Sequence, residues 1–265
     1  VHLSEYFSGK AADDLSLANA GWYASNHITL HLADPVQHID RAGKTVRSFS
    51  GIIENYDVLV MATGSAAFVP SIPGVEKEGV FIYRTIEDLE MISDWARKVK
   101  TGAVIGGGLL GLEAAKALLD LGITNPHVIE FSPRLMPRQV DGAGSHCLQS
   151  KLQSLGLTIH TNTNTTAIAG NEKITSLQFA DGSILETEML VISAGIKPRD
   201  ELARACGLET GQRGGIIVND TLQTSDPSIF AIGECALHKG MIYGLVAPGY
   251  EMADTVVANL TGGEK

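Results

Sequence analysis

The sequence predicts an α/β fold in which parallel strands alternate with helices in two domains. Three observations support this prediction. The length of 265 residues suits two domains of ordinary size. A strand, a glycine-rich turn, a helix and a second strand follow one another from Val104 to Glu130. Two further apolar strands, at residues 56–64 and 189–195, each end at a small-residue turn. We therefore expect the same kind of sheet edge in each of two domains.

The first part of the chain predicts a helix followed by strands. An apolar pattern predicts a helix over residues 11–26, closed by Asn26, and a strand over residues 28–32. Two short strands, near residues 37–40 and 44–48, flank a turn that contains Gly43. We therefore expect a hairpin here.

The run at residues 56–64 predicts a buried parallel strand, because its apolar core is unbroken and ends at Gly64. Pro70 and Pro73 interrupt the chain after it. A domain boundary is expected between about Val80 and Glu87.

The central unit has the spacing G-x-G-x-x-G at Gly106, Gly108 and Gly111. Gly106 can take the tight turn, Gly108 lets backbone amides approach a pyrophosphate, and Gly111 lets the helix pack closely on its strand. The helix is expected from about residue 109 to residue 121, with Gly122 after it. This combination of elements indicates dinucleotide binding.

The pyrophosphate is expected at the N-terminus of this helix, where unpaired N–H groups and the dipole favour an anion. Leu109 and Leu110, in the first turn, are therefore included among the cofactor-binding residues. Glu130 is placed to accept hydrogen bonds from an adenosine ribose and to repel the extra phosphate of NADPH. NADH is therefore the expected cofactor. NADPH is less favoured but not excluded, because Arg134 could accommodate the extra phosphate.

The rest of the chain predicts a second helix and several strands. We expect a helix at 141–155, a strand at 157–161, a hairpin of residues 174–179 and 184–186, a strand at 189–193 before Ala194 and Gly195, a strand at 229–232 before Gly233 and Glu234, and a helix at 246–260.

Composition excludes several classes of function. A net charge of −10 argues against a nucleic-acid partner. No apolar run is long enough for a membrane span and no signal peptide is recognisable, so a cytoplasmic location is expected. Cys147, Cys206 and Cys235 are widely spaced and the histidines lack ligand spacing, so no metal site is predicted. Because Val1 is not methionine, we expect a fragment of a longer polypeptide.

Several blocks resemble a known family. Residues 56–64, 106–113, 194–198 and 229–234 resemble the FAD-dependent pyridine nucleotide-disulfide oxidoreductase superfamily. Residues 2–7, 83–89, 106–113, 233–236 and 243–250 are similar to the NADH-binding flavoprotein part of the assimilatory nitrite reductase large subunit.

The resemblance implies two Rossmann-like, glutathione-reductase-like three-layer domains. An NADH-binding domain at 85–199 would be inserted into a truncated FAD-binding domain at 1–84 and 200–265. Glu113 would be the catalytic residue near the nicotinamide. The remaining residues that the resemblance places in the cofactor sites are Ala62, Thr63, Gly64, Ala194, Gly195, Gly233, Glu234 and Pro248.

The implied activity is NADH-dependent reduction of FAD. Electrons would then pass to iron–sulfur and siroheme centres outside this chain, in the parent chain or in a partner. A homodimer is also compatible with the resemblance. This chain departs from the family in three ways. The family's first G-x-G-x-x-G is absent, so the FAD site is expected to be incomplete. Glu234 replaces the commoner aspartate, and Glu5 stands where related ferredoxin reductases have lysine.

Two alternatives stay open. The first is an NADH reductase for ferredoxin or rubredoxin, and the second is a nucleotide-binding module without catalysis. NADH oxidases and coenzyme A disulfide reductases are disfavoured, because no cysteine precedes Cys147.

Overall fold

The computed structural model describes residues 6–7 and 12–263. The chain divides into two compact units. Unit 1 comprises Val1–Leu17 and Ala67–Gly195, and unit 2 comprises Ala18–Ala66 and Ile196–Lys265.

The strands are short and occur in both units. In chain order they are β1 (Val36–Asp40), β2 (Thr45–Ser48), β3 (Ile53–Asn55), β4 (Leu59–Met61), β5 (Ser65–Ala67), β6 (Val80–Ile82), β7 (Ala103–Ile105), β8 (His127–Ile129), β9 (Thr158–His160), β10 (Thr165–Ala169), β11 (Ser176–Phe179), β12 (Ile184–Glu186), β13 (Leu190–Ile192), β14 (Ile196–Pro198), β15 (Ile216–Val218), β16 (Ile229–Ala231) and β17 (Ala236–His238).

The α-helices are α1 (Ala20–Ser25), α2 (Ile86–Ala96), α3 (Leu109–Asp120), α4 (Gly142–Ser154), α5 (Glu201–Ala205) and α6 (Val246–Thr261). Short 3₁₀ turns lie at Ala12–Leu15 and Gly233–Cys235.

Unit 1 is built on a parallel sheet of five strands in the order β6-β13-β7-β8-β9. Helix α3 packs on β7 and β8, α2 on β6, and α4 on β9. The strand interiors, including Val104, Val128 and Val191, are fully buried, because a parallel sheet is covered on both faces. An antiparallel sheet, β10-β11-β12, completes the unit. The expected α/β class is confirmed.

Two helices of unit 1 begin at side-chain caps. The Thr85 hydroxyl accepts the N–H of Asp88 and the Asp88 carboxylate accepts the N–H of Thr85, which forms a capping box at α2. Asp141 caps α4 through the N–H of Gly144, at 2.8 Å. The expected starts and ends of α3 and α4 are confirmed to within a few residues.

Unit 2 has an antiparallel sheet, β1-β2-β3, which confirms the expected hairpin around Gly43. It also contains two parallel pairs, β16 with β4 and β15 with β17. Its core includes Phe230, Ile216 and Met252. The expected parallel strand at residues 56–64 is present as β4, but the expectation that it is buried is wrong for Val60, which is 40% exposed. Among the described residues β4 pairs only with β16, so one of its edges has no strand beside it.

Two expectations near the N-terminus are wrong. The helix expected over 11–26 is interrupted, because extended Asn19 accepts the N–H of Trp22 and starts the separate helix α1. Residues 28–32 do not form a strand. His27 and Ala33, on either side, have φ of 56° and 54°, and this segment has no ladder partner within residues 12–263.

The unit limits differ from the expected domain limits. Strand β6 (Val80–Ile82) pairs with β13 in the sheet of unit 1. The chain changes units at 17/18, 66/67 and 195/196. The expected limits of the cofactor domains, at 84/85 and 199/200, stay a prediction. The assignment of one cofactor domain to each unit stays a prediction.

Candidate cofactor-binding site

Two of the three glycines of the G-x-G-x-x-G motif, Gly106 in the turn after β7 and Gly111 inside α3, are tightly packed. Gly106 has φ of +122°, and an ideal Cβ there would overlap the carbonyl oxygen of Ser193. A Cβ at Gly111 would overlap the carbonyl oxygen of Gly106. Only glycine fits either position, because the helix and the turn share the space that a side chain would need.

Gly108 differs from its neighbours, because a Cβ built on it meets no atom within 4 Å. Gly108 is also the N-cap of α3, which has no side-chain capping bond. The first N–H groups of a helix lack intrahelical partners, so this end of α3 favours an anion. The open space and the uncapped helix are what a pyrophosphate needs.

Glu130 follows β8, and its carboxylate is held by backbone amides. Its Oε2 accepts the N–H of Gly107 and its Oε1 accepts the N–H of Ser132, both at 2.6 Å. These bonds fix the orientation of the carboxylate beside the glycine turn. Each carboxylate oxygen can accept more than one hydrogen bond, so ribose hydroxyls could still be bound.

Other candidate residues lie around this turn. Leu109 and Leu110 expose their side chains at the start of α3. Arg134 is exposed and donates to the Pro137 carbonyl at 3.2 Å. Ala194 lies beside Gly106, and the Gly195 carbonyl accepts the N–H of Phe68.

Glu113 lies one turn into α3 and is half-buried. Burial raises the pKa of its carboxyl above the usual value. Tyr83 is 3% exposed, and its hydroxyl has no hydrogen-bond partner. Burial, with a smaller contribution from the Glu113 charge, raises the pKa of Tyr83 to about 12. Unit 1 therefore has a desolvated acid at the place where the resemblance puts the catalytic residue.

In unit 2, two turns follow the parallel neighbours β4 and β16. Gly64 and Gly233 have φ of +65° and +72°, and a Cβ on either would meet no atom within 4 Å. The carboxyl ends of parallel strands lie at one edge of a sheet, where ligands of α/β proteins bind. Unit 2 therefore has an open edge beside β4 and β16.

Side-chain contacts join these two turns. The Ser65 hydroxyl donates to Oε2 of Glu234 at 2.6 Å. The Thr63 hydroxyl donates to the Arg199 carbonyl at 2.6 Å, while exposed Ala62 precedes it. Thr63 therefore has a structural bond within unit 2.

Helix α6 also begins without a side-chain cap, and Pro248 lies in its first turn. Leu245 and Val246 expose apolar side chains at this end. The N–H of Gly233 donates to the sulfur of Met252 in the same helix at 3.2 Å. A sulfur is a weak acceptor, so α6 is joined to the Gly233 turn by a weak hydrogen bond.

Three residues that contact the candidate site were not predicted to do so. Ser132 and Ser65 hold the two acids, and Tyr83 lies near Glu113. Ser65 directly follows the Ala62-Thr63-Gly64 block, which is the one sequence signal that could have drawn attention to it. Glu5 lies outside the described residues.

The other candidate chemistry gives no additional site among the described residues. Cys147 is exposed, Cys206 is half-buried and Cys235 is buried, and all three are free thiols. No group of three or more His, Cys, Asp or Glu side chains in the described part of the chain could hold a metal ion. Within residues 12–263 no helix is both long enough and apolar enough to cross a membrane.

A parallel sheet with a glycine turn before an uncapped helix defines unit 1 as a Rossmann-type α/β structure. The chain belongs to the pyridine nucleotide-disulphide oxidoreductase family, which it matches over residues 4–258. The family that the sequence resembles is thereby confirmed.

Two relatives and one solved structure show the extent of the similarity. The chain is 50% identical to the nitrite reductase [NAD(P)H] large subunit of Klebsiella oxytoca, over 99% of this chain and 27% of that protein. It is 49% identical to the nitrite reductase (NADH) large subunit of Escherichia coli strain K12, over 100% of this chain and 31% of that protein. A ferredoxin reductase from Rhodopseudomonas palustris has a TM-score of 0.93 at 31% identity, over 99% of this chain and 66% of its own.

The chain therefore spans under a third of the two nitrite reductases it matches.

Proposed function

We propose that this chain is the NADH-dependent flavoprotein portion of a nitrite reductase. The observation that carries the proposal is the open position at Gly108 in front of the uncapped helix α3. Backbone amides there would bind the pyrophosphate of NADH, with Leu109 and Leu110 beside it. Glu130, held by two amides, would accept the adenosine ribose hydroxyls and disfavour the phosphate of NADPH.

The nicotinamide end would lie near Glu113. Because burial raises the pKa of this carboxyl, its charge is sensitive to what binds beside it. Glu113 would orient the ring through hydrogen bonds to its carboxamide. This role requires contact with NADH and no proton transfer.

The residues of unit 2 fit the flavin end of FAD. Gly64 and Gly233 border open space, Glu234 offers an acceptor, and Pro248 stands in the uncapped first turn of α6. No second G-x-G-x-x-G is present to bind the FAD pyrophosphate. When bound, FAD would take up the electron pair of NADH and release electrons one at a time.

The relatives support a nitrite reductase as the parent protein. The two nitrite reductases match 99–100% of this chain at 49–50% identity. The family resemblance implies that iron–sulfur and siroheme centres would receive the electrons, outside these residues, in a partner or in the parent chain. A cytoplasmic location and a homodimer stay predictions.

The proposal is tested by NADH titration of Gly108→Ala. The new methyl group contacts no protein atom and would occupy the expected pyrophosphate position. We expect the unfolding midpoint to be unchanged and the NADH affinity to fall about tenfold or more, as measured by calorimetry. Gly142→Ala is the matched control, since that glycine also begins a helix and has open space around it. Equal NADH affinity of the two variants would refute the NADH site.

A separate FAD titration distinguishes the alternatives. A reductase should bind both FAD and NADH and should reduce an artificial acceptor. Binding of NADH without FAD would favour a module without catalysis. The ferredoxin reductase alternative would be favoured if the chain reduced ferredoxin or rubredoxin but did not reduce a siroheme-containing partner. This chain shares the fold of a ferredoxin reductase.

A further inference from the structure

The bond between Ser65 and Glu234 joins two turns that are 169 residues apart in the sequence. Ser65 begins β5 after the turn that follows β4, and Glu234 lies in the 3₁₀ turn that follows β16. Strands β4 and β16 are parallel partners, and the N–H of Ile232 extends their ladder to the Met61 carbonyl at 3.0 Å. Both turns therefore leave the sheet at the same edge.

The bond has the properties of a fixed contact. Its length of 2.6 Å is that of a hydroxyl donating to a carboxylate, and Ser65 is 3% exposed. The Ser65 backbone is also held, because the N–H of Arg199 donates to the Gly64 carbonyl at 2.9 Å. The donor is therefore anchored, and the longer, more flexible partner is the side chain of Glu234.

A glutamate has one more rotatable bond than an aspartate, so an unrestrained carboxylate at position 234 would lose more entropy on binding a ligand. The Ser65 hydroxyl removes that freedom in advance. A carboxylate has about four acceptor sites, so Glu234 can accept hydroxyl donors of a ligand in addition to the Ser65 hydroxyl. Gly244 lies beside its Oε1, since a Cβ there would be 3.5 Å away.

We propose that Ser65 is a positioning residue that holds the Glu234 carboxylate ready to accept hydroxyl donors of a flavin nucleotide. The proposal rests on the proposed function, in which the edge beside β4 and β16 binds the flavin end of FAD. In this proposal the Ser65 hydroxyl is useful only when the side chain at position 234 is as long as glutamate.

The test is a double-mutant cycle of Ser65→Ala and Glu234→Asp in the full chain, with FAD affinity measured by quenching of flavin fluorescence. We expect Ser65→Ala to weaken FAD binding about fivefold to tenfold, the loss of one charge-assisted hydrogen bond. The shorter aspartate should not reach Ser65. Adding Ser65→Ala to Glu234→Asp should therefore change the affinity less than about twofold.

Ser228→Ala is the matched control. Its hydroxyl donates to Asp226 at 2.8 Å beside the other end of β16, so it removes a similar bond away from the site. FAD affinity should be unchanged in this variant. A merely structural role for Ser65 would instead make Ser65→Ala weaken FAD binding equally with and without the Glu234→Asp substitution, or leave it unchanged, and either result would overturn the proposal.

Urea unfolding of the same four proteins without flavin separates the two hypotheses. The two substitutions are coupled if the unfolding constant of the double variant differs about fivefold or more from the value expected for independent effects. Such coupling supports the positioning contact. Its absence overturns that contact whatever the flavin result. If wild-type chain binds no FAD while the coupling is present, the flavin site is refuted and the Ser65–Glu234 contact stands alone.

Discussion

Glu130 in unit 1 and Glu234 in unit 2 both follow a buried strand, yet their carboxylates are held in different ways. Glu130 accepts two backbone N–H groups, from Gly107 and Ser132. Glu234 accepts a side-chain hydroxyl, from Ser65. Every non-proline residue supplies an N–H group, whereas only a few side chains supply a hydroxyl.

The candidate sites of the two units are consequently sensitive to sequence in different places. In unit 1 the geometry depends on backbone space, which only glycine leaves at Gly106 and Gly111. In unit 2 the glycines at positions 64 and 233 border open space, and the geometry depends on a pair of side chains. Substitutions at Gly106 and Gly111 should therefore damage folding, whereas substitutions at Gly64 and Gly233 should damage ligand contacts.

The largest expected effect compares Gly111→Ala with Gly233→Ala. At Gly111 the new methyl group would overlap the Gly106 carbonyl, so the free energy of unfolding should fall by about 3 kcal/mol or more. At Gly233 the methyl group has space, and only the left-handed backbone costs about 1 kcal/mol. Urea unfolding measures both. Equal losses would remove the distinction between a crowded and an open turn.

A smaller loss is expected when the acid of unit 1 loses one of its two acceptor oxygens. Glu130→Gln leaves one amide oxygen for two N–H donors, so its NH₂ group must face the N–H of Gly107 or Ser132. One orphaned donor should lower the free energy of unfolding by about 1–3 kcal/mol.

Glu188→Gln is the control for this variant. A single oxygen of Glu188 accepts the N–H groups of Lys100 and Thr101, so a glutamine oxygen can replace it. We expect a loss below about 1 kcal/mol by urea unfolding. A larger loss for Glu188→Gln than for Glu130→Gln would show that the number of carboxylate oxygens that accept N–H groups does not control stability here.

The parts of the fold that sequence predicts are those whose causes are local. The glycine spacing from Gly106 to Gly111, the apolar strands and the helix expected at 141–155 each depend on neighbouring residues, and the structure confirms strands and helices there. The prediction of parallel sheets followed from the same apolar runs. The interruption at Asn19 is local too, but the prediction of one helix followed the apolar pattern alone and did not include the side-chain cap that starts α1.

The parts that sequence did not predict depend on distant partners. Residues 28–32 have the composition of a strand, but a strand needs a neighbour that supplies hydrogen bonds. The Ser65–Glu234 bond joins residues that come together only when β4 and β16 pair. The place of β6 in the sheet of unit 1 depends on its pairing with the distant strand β13, which Pro70 and Pro73 do not indicate.

Each unit also has a tyrosine whose buried hydroxyl lacks a hydrogen-bond partner, Tyr83 in unit 1 and Tyr56 in unit 2. Tyr83→Phe removes an unsatisfied group, so the free energy of unfolding should rise by about 1 kcal/mol. Tyr56→Phe should raise it less, because Tyr56 is only partly buried. A loss of stability in Tyr83→Phe, measured by urea unfolding, would show that the hydroxyl has a partner in solution.

The smallest expected effect is a pH dependence of unit 1. Nδ1 of His127 and Nε2 of His160 are 2.9 Å apart, and their rings stack with centroids 5.2 Å apart. Burial lowers the pKa of both rings from 6.5, and for His127 the neighbouring His160 lowers it further. The His160 carbonyl accepts the N–H of Glu130 at 2.8 Å, so the pair lies beside the backbone that holds this acid.

The direction of the effect follows from these pKa shifts. Below pH 6.5 the unfolded chain binds protons that the folded pair resists, so the free energy of unfolding should fall as the pH drops through 6.5 towards the folded pKa. Above pH 6.5 the contribution of the pair is fully present. We expect a loss of about 0.5 kcal/mol between about pH 7.5 and 5.5, because both rings are only partly buried. Subtracting the same measurement on His160→Gln removes other groups, including Glu113, whose raised pKa acts in the opposite direction. A difference that stays flat across this range would show that the two histidines bind protons equally in the folded and unfolded states.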